Sequence, residues 1–294
     1  MFYRRKIILA LLQVYGGKLG KINLQKLLFL FCQKQKEPNY DFIPYLYGCY
    51  SHSAKADLST MVKKDLLQED VTGYSKKDRK DYLSMLNDED MRIVRETYLL
   101  YNKMDTDGLM IHTYINFPYY AINSNVAEKL LTKEQLEKVN HYRPALTNTT
   151  LYTIGYEGIS LEAYLNKLIK NDIKLLVDVR NNPLSQKFGF SKSQLIRYCE
   201  GLNIKYIHYA EVGIKSEFRQ ELKIQSDYDT LFNSYKKNTL TQTISTQEKI
   251  LDLLKEKKRI ALTCFEANIC QCHRKHLAEA ISQLPEWEYE LKHI

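Results

Sequence analysis

The sequence lacks several features that would assign it at once to a class of protein. None of its apolar runs approaches the roughly 18 consecutive residues that a transmembrane helix needs, which predicts that no membrane is among its partners. Neither G-x-G-x-x-G nor G-x-x-x-x-G-K-[ST] occurs, so the dinucleotide-binding and P-loop fingerprints are excluded. Internal repeats and low-complexity segments are also missing.

Cysteine is scarce, with six residues scattered over a chain of 294. The first residues, "MFYRRKIILALLQVYGG", have the basic-then-apolar order of a secretory signal. They lack an A-x-A-like exit and continue into an amphipathic pattern, which predicts a helix of the mature protein. Scattered cysteines in a chain without a signal peptide indicate reduced thiols and a cytoplasmic location.

The sequence does have a mild excess of positive charge and many tyrosines. Its net charge is +8, spread over both halves, and it contains 23 tyrosines. Such a charge permits binding to a polyanion but is equally typical of a solvated, mildly basic surface. Tyrosine suits cleft walls, interfaces and the stacking of bases.

The length and a change of rhythm along the chain predict two domains. Segments such as "INLQKLLFLFCQKQ" and "SMLNDEDMRIVRETYLLYNKM" have helical periodicity, and another helix is expected to begin near Ser51 or Ser53. The stretch "HYRPALTNTT" has no periodicity and contains a proline, which is typical of a linker. We therefore predict a mainly helical recognition domain over residues 1–148 and a second domain over residues 149–294.

Short apolar segments alternate with helical ones in the second domain. The predicted strands are "LYTIGY", "IKLLVDVR", "IKYIHYAEV", "RIALTCFE" and "WEYELKHI". One long helical stretch is expected at about residues 227–258. Alternation of this kind predicts an α/β fold with a mostly parallel sheet and helices on both faces.

Polar side chains follow the predicted strands where each strand ends. Ligands of open parallel sheets bind beyond these carboxyl ends, so the sequence predicts a site there. Acid–base chemistry is expected from Asp178, Glu266, His208 and His273. Binding of phosphate or another anion is expected from Arg180, Arg274, Ser185 and Tyr156. The structural alternative is an internal Arg180–Glu266 or Arg274–Asp178 pair that holds the loops together.

Four motifs in this order carry a family resemblance. They are "TIGYEG", "LVDVRNNPLS…FS", "IKYIHYAEVG" and "LTCFEANICQCHRKHLAEAI". Together they closely resemble the domain-of-unknown-function 488 family over about residues 150–294. Positions that match the family pattern are Gly155, Tyr156, Asp178, Arg180, Pro183, Ser185, His208, Gly213, Cys264, Glu266, Cys272, His273 and Arg274. The resemblance implies a fold and a site more than a reaction.

The first half has a looser resemblance. "INLQKLLFLF" and "PYLYGCYSHSAKADLSTMVKKDLL" are similar to the SocA/Panacea antitoxin and YwgA-type helical domains, over about residues 1–130. Cys49 stands where those domains usually have a proline in the turn. The resemblance implies a winged-helix-like segment and a recognition module for a protein or a nucleic acid.

The cysteine-rich stretch "TCFEANICQCHRKHLAEA", residues 263–280, leaves further chemistry open. We do not predict a cofactor as the main purpose of this stretch, although a divalent metal is possible. A zinc site could be assembled from Cys264, Cys270, Cys272 and His276. Alternatively, Cys272 near a helix start could be a nucleophile with His273 as its base. An anion site is the reading we prefer, because Arg274 in a first helical turn opposes the helix dipole unless it has a partner.

These patterns support one main functional hypothesis and one alternative. The main hypothesis is an enzyme that processes nucleic acid or a nucleotide, by hydrolysis or transfer at a phosphate or glycosidic centre. The alternative is a non-catalytic module that binds nucleic acid or a protein partner through the N-terminal domain, in a defence or toxin–antitoxin setting.

Overall fold

The computed structural model describes residues 1–219, 222 and 224–294. Within them the chain forms two compact units, Met1–Arg143 and Pro144–Ile294. In the described part of the chain, no helix combines the length and apolar character needed to cross a bilayer.

The first unit is mostly helical, as predicted. Its helices are α1 (Tyr3–Val14), α2 (Lys21–Cys32), α3 (His52–Lys63), α4 (Asp88–Tyr101), α5 (Thr106–Asn116), α6 (Ala127–Leu130) and α7 (Lys133–His141). Its strands are β1 (Lys18–Gly20), β2 (Ile43–Tyr45), β3 (Gly48–Tyr50), β4 (Leu67–Glu69) and β5 (Gly73–Lys76). The predicted start of α3 is correct, since Ser51 is the N-cap and its side chain accepts a hydrogen bond from the Ala54 N–H at 3.2 Å.

Two small antiparallel sheets accompany these helices. One has the order β1-β5-β4, and its β4–β5 hairpin follows α3 in the chain. The other is the β2–β3 hairpin, which is held by Lys26 of α2. The ammonium of Lys26 is buried and donates to the carbonyls of Tyr47 and Cys49, the latter at 3.2 Å. Burial lowers the pKa of Lys26.

The second unit is built on a parallel sheet. Its strands are β6 (Thr150–Gly155), β7 (Leu175–Asp178), β8 (Lys205–His208), β9 (Arg259–Cys264) and β10 (Glu290–His293). Their order is β10-β6-β9-β7-β8, and every neighbouring pair among them is parallel. All residues of β6, β7 and β9 are buried, as expected for strands covered on both faces.

Helices cover both faces of this sheet. They are α8 (Leu161–Lys170), α9 (Lys192–Glu200), α10 (Gln225–Tyr235), α11 (Ile244–Lys257) and α12 (His273–Ile281). Alternate residues of β9, such as Leu262, share one apolar cluster with Leu254 of α11 and Leu277 of α12. The intervening Thr263 accepts a hydrogen bond from the Tyr164 hydroxyl of α8 at 2.8 Å, on the opposite face. The predicted α/β class is therefore confirmed.

The long helical stretch predicted at about residues 227–258 is confirmed. It consists of two helices, α10 and α11, joined through a π-helical turn at Lys236–Leu240. The threonine- and asparagine-rich segment that follows Tyr235 explains the interruption, because such side chains bond to nearby backbone carbonyls. Thr241, for example, donates to the Lys237 carbonyl at 2.7 Å.

The strand order brings the carboxyl ends of β6, β9 and β7 side by side. Gly155 pairs in register with Cys264, and Asp178 pairs with both Thr263 and His208. The loops that carry most of the predicted site residues therefore leave the sheet at one edge, as ligand-binding loops of open parallel sheets do.

Candidate active site

A cleft of about 460 Å³ lies at this edge of the sheet. The loops after β6, β7 and β9 contribute most of its wall. The residues that line it are Tyr156, Arg180, Asn181, Asn182, Leu184, Ser185, Gln186, Ile214, Cys264, Phe265, Glu266 and His273. Six of the sequence-predicted site residues are among them, namely Tyr156, Arg180, Ser185, Cys264, Glu266 and His273.

Asp178 lies beneath the cleft, fully buried and paired with Arg180. Its carboxylate accepts hydrogen bonds from the Arg180 backbone N–H at 3.0 Å and from Nε at 2.9 Å, and it also binds a terminal guanidinium nitrogen. The Tyr206 hydroxyl donates to the same carboxylate at 2.6 Å. Burial and the charge of Asp178 raise the pKa of Tyr206, which keeps this hydroxyl protonated as a donor.

Most donors of Arg180 are committed inside the protein. One terminal nitrogen donates to the Tyr156 hydroxyl at 2.8 Å and to the Phe190 carbonyl at 2.9 Å. Burial acts to lower the pKa of the guanidinium, but the hydrogen bonds and charge of Asp178 outweigh it and leave the pKa raised. Arg180 is thus a permanent buried cation whose guanidinium binds Asp178. The sequence predicted an internal pair for Arg180, but with Glu266 as its partner.

Tyr156 is held as part of an aromatic wall. Its ring stacks on Phe190, with centroids 4.2 Å apart and planes 9° apart, and meets the edge of Phe265 at 5.3 Å. Phe265 is 43% exposed, so one aromatic face remains available at the rim. The Lys187 ammonium donates to the Tyr156 carbonyl at 2.6 Å and brings a positive charge to this side.

His273 is oriented by the backbone of the loop after β7. It is fully buried, and its Nε2 lies 2.9 Å from the Val179 carbonyl oxygen. A carbonyl can only accept, so Nε2 carries a proton and donates a hydrogen bond to Val179. Nδ1 lies 3.6 Å from the sulfur of Cys264.

Cys264 connects His273 with Glu266. Its thiol donates to Oε2 of Glu266 at 3.2 Å. Glu266 supplies the only carboxylate among the described residues that line the cleft. The cleft therefore presents a carboxyl group in contact with a thiol, which in turn contacts an imidazole ring.

Cys272 lies beside this chain of contacts and is fully buried. It is the N-cap of α12, as the sequence placed it. Burial and the neighbouring Cys264 raise the pKa of its thiol well above the ordinary value, although Arg274 acts to lower it. Burial therefore opposes the thiolate that a nucleophilic Cys272 would require.

Arg274 does not belong to the described lining of the cleft. Its guanidinium donates to the Glu266 carbonyl at 2.5 Å and to the Ala267 carbonyl at 3.3 Å, while Nε is buried without a hydrogen-bond partner. A cation in the first turn of a helix thus has carbonyl partners that hold the loop after β9 in place. Gly155 allows this packing, because a Cβ there would lie 2.0 Å from the Glu266 carbonyl oxygen.

The remaining predicted residues lie around the cleft. His208 Nε2 is 2.8 Å from the Arg180 carbonyl, and Nδ1 is 3.2 Å from the Lys192 ammonium. Ser185 lines the cleft, and its backbone carbonyl accepts a hydrogen bond from the Ser191 hydroxyl at 2.9 Å. His208 therefore positions the loop after β7, and Ser185 presents a hydroxyl in the wall of the cleft.

The structure regroups the candidate metal ligands. Cys264, Cys272 and His273 have ligand atoms within 4.8 Å of one another. The set considered from sequence contained Cys270 and His276 in place of His273, and this set is not brought together. Cys270 is exposed on the 3-10 turn Ile269–Gln271, and His276 packs on Phe232 with ring centroids 4.5 Å apart.

Sequence reasoning missed several polar residues of the site. Asn181, Asn182 and Gln186 bring amide groups into the cleft, and Tyr206 supports Asp178 from β8. The two asparagines directly follow Arg180, so their position after a strand could have indicated that they belong to the site. No such indication existed for Tyr206, because it lies within a strand and its closeness to Asp178 depends on the order of the strands in the sheet.

Comparison with known protein families finds a match for the second unit. The family model described as "Domain of unknown function DUF488" matches residues 160–281. This confirms the resemblance of the C-terminal half, and the matched residues include those from Asp178 to Arg274. No curated protein matches the chain. The resemblance of residues 1–130 to antitoxin-type helical domains stays a prediction.

Proposed function

We propose that the second unit is an enzyme that acts on nucleic acid or a nucleotide, by hydrolysis or transfer at the glycosidic bond between base and sugar. Glu266 would be its acid–base group. The observation that carries the proposal is the position of Glu266, half-exposed in a cleft at the carboxyl ends of parallel strands and in contact with the Cys264 thiol.

The geometry favours Glu266 over Asp178 for this role. Asp178 is fully buried and its oxygens are bound by Arg180 and Tyr206, so a substrate proton has no route to it. Glu266 faces the cleft, where a carboxylate can take a proton from a water molecule that attacks the sugar.

The hydrogen-bond partners of Arg180 and Arg274 favour a reaction at a glycosidic bond over a reaction at a phosphate. Phosphate is bound best by a guanidinium that can offer two parallel donors. Arg180 directs its fork to Asp178, and Arg274 directs its terminal nitrogens to two backbone carbonyls. Arg180, paired with Asp178, therefore shapes the floor of the cleft and offers no free fork to a phosphate.

The wall of the cleft suits a nucleoside. Asn181, Asn182 and Gln186 carry amides that both donate and accept, which matches the edges of bases and the hydroxyls of sugars. Phe265 offers an exposed ring for stacking, a contact worth about 1–3 kcal/mol per base.

A gel assay tests this proposal. Purified protein is mixed with labelled single-stranded DNA, duplex DNA or RNA, with and without divalent metal. Base loss is revealed by alkaline strand scission for DNA, and by aniline-catalysed scission at mildly acidic pH for RNA, which alkali would cleave throughout. We expect turnover by the wild type and by a Glu248→Gln control, because Glu248 is exposed on α11 and is not among the residues that line the cleft. Glu266→Gln should bind the substrate but lose turnover. Equal turnover by Glu266→Gln would remove Glu266 from the mechanism.

A second candidate function is supported by the same internal hydrogen bonds and ion pairs. Asp178, Arg180 and Arg274 all have internal partners, so much of the predicted catalytic set is also a structural scaffold. We infer as the alternative a non-catalytic binding or regulatory module, with partner recognition through the first unit. It predicts a gel shift without turnover that is equal in wild type and Glu266→Gln.

A further inference from the structure

We infer that Cys264, Cys272 and His273 form a binding site for one divalent transition-metal ion of the zinc type. The three side chains are 0–2% exposed, and their ligand atoms lie within 4.8 Å of one another. This inference goes beyond the proposed function and does not depend on it, because a metal can bind here whatever the cleft accepts.

The measured separation fits a shared tetrahedral centre. Zinc bonds of about 2.3 Å to sulfur and about 2.0–2.1 Å to nitrogen, at the tetrahedral angle, place the two ligand atoms about 3.6 Å apart. Cys264 Sγ and His273 Nδ1 are 3.6 Å apart. An ion between them would need little movement of either side chain.

The orientation of His273 supports the same reading. Metal-bound histidines almost always donate their second ring N–H to a carbonyl or carboxylate, which fixes the tautomer and the ring plane. His273 has this partner in the Val179 carbonyl, 2.9 Å from Nε2. The other ring nitrogen, Nδ1, therefore already lies near the Cys264 sulfur.

The donor set selects the class of metal. Two sulfurs and one imidazole suit zinc and related transition metals, whereas magnesium and calcium require oxygen ligands. Binding would convert both thiols to thiolates and release their protons.

The site also adjoins the cleft, which is typical of a catalytic metal centre. Catalytic zinc commonly has three protein ligands and a water in the fourth position. Cys264 and His273 line the cleft next to Glu266, and Glu266 Oε2 lies 3.2 Å from the Cys264 sulfur. A water on the ion would be beside a carboxylate able to take its proton, the arrangement found in hydrolytic zinc sites.

The first test uses metal alone and no substrate. The full chain, free of affinity tags and kept reduced, is titrated with Co²⁺ and followed by its thiolate-to-cobalt charge-transfer absorption. Zinc content after dialysis is measured by elemental analysis. We expect one metal ion per chain, and X-ray absorption of the zinc-loaded protein should show two sulfur neighbours at about 2.3 Å.

Variants identify the ligands. Cys264→Ala and Cys272→Ala keep small buried side chains, and each should weaken cobalt binding by more than about 100-fold. That is the upper end of the loss seen when only a hydrogen-bond partner of a metal ligand is changed. Cys270→Ser is the matched control, an exposed thiol of the same loop, and should bind as the wild type does. Glu266→Gln should also retain the metal, which separates this test from that of the proposed function.

Three results would overturn the inference. A reduced, folded wild type that takes up neither Co²⁺ nor Zn²⁺ would do so, because the three side chains would then be only packed together. A zinc ion coordinated only by oxygen and nitrogen atoms would lie at a site other than the two cysteines. Loss of binding in Cys270→Ser with retention in Cys272→Ala would return the site to the ligands considered from sequence.

Discussion

The Asp178 carboxylate accepts hydrogen bonds from both the backbone N–H and the guanidinium of Arg180, two residues further along the chain. One residue pair thereby closes the turn after β7. Both partners are almost completely buried, so the pair shapes the floor of the cleft more than it offers charge to a ligand.

Replacement of Asp178 by Asn should destabilise the second unit by about 3–5 kcal/mol, because it leaves the Arg180 cation buried and uncompensated. Trp287 is the only tryptophan of the sequence and packs against the apolar core of this unit. Its fluorescence during urea unfolding therefore measures the change.

Lys292→Gln is the control for that experiment, since Lys292 and Glu290 form an exposed ion pair of the same unit. Exposed pairs of this kind contribute about 0–1 kcal/mol. A double-mutant cycle with Arg180→Met should show strong coupling between the two positions. A loss of less than about 1 kcal/mol in Asp178→Asn would show that the pair is not needed for stability.

Replacement of Gly155 by Ala should damage both stability and the proposed activity. A Cβ at this position would meet the Glu266 carbonyl oxygen at 2.0 Å and the Glu266 carbonyl carbon at 2.8 Å, so the backbone that carries Glu266 must move. Overpacking of this kind typically costs about 1–3 kcal/mol. Urea unfolding and turnover in the gel assay measure the two effects.

Gly20→Ala is the matched control for Gly155→Ala. A Cβ at Gly20 would meet its nearest atom at 3.6 Å, an ordinary contact, and the backbone there is extended with φ of −63°. We expect wild-type turnover and stability close to that of the wild type. Full turnover in Gly155→Ala would contradict the close packing of β6 on the loop after β9.

Replacement of Lys26 by Met should destabilise the first unit, although it removes a buried charge. The Tyr47 and Cys49 carbonyls would lose their donor, and a buried unsatisfied acceptor costs about 1–3 kcal/mol. Urea unfolding followed by circular dichroism measures the loss. Lys21→Met, at a 44% exposed side chain on the same helix, should change stability by less than about 1 kcal/mol. Equal stability of the two variants would mean that Lys26 does not hold the hairpin.

The central strands of the second unit could be predicted because they are buried and mostly apolar. The segments "IKLLVDVR" and "RIALTCFE" are rich in apolar residues, and each contains a fully buried strand, β7 and β9 respectively. The π-helical turn between α10 and α11 was not predicted from the sequence, where the two helices were expected as one helical stretch. It depends on local competition of side chains for backbone carbonyls near Thr241.

The candidate site was only partly predictable for a different reason. The strand ends identified Glu266 and Arg180 as residues of one edge of the sheet, but they did not show which charged residues would form ion pairs. Arg180 pairs with Asp178, because a carboxylate two residues away in sequence can bind both the backbone and the side chain of one turn. Similarly, spacing alone favoured His276 as a ligand, whereas the start of α12 directs His273 towards Cys264.

The order of the strands also has a consequence for how the second unit is made. Strand β6 pairs with β9 and β10, both of which follow it in the chain, beginning at Arg259 and Glu290. A ribosome therefore releases this strand, which is fully buried in the folded unit, long before either partner exists. Pairings between such distant segments form slowly and leave strand edges open to other chains. Newly synthesised protein should accordingly depend on chaperones until β9 has emerged.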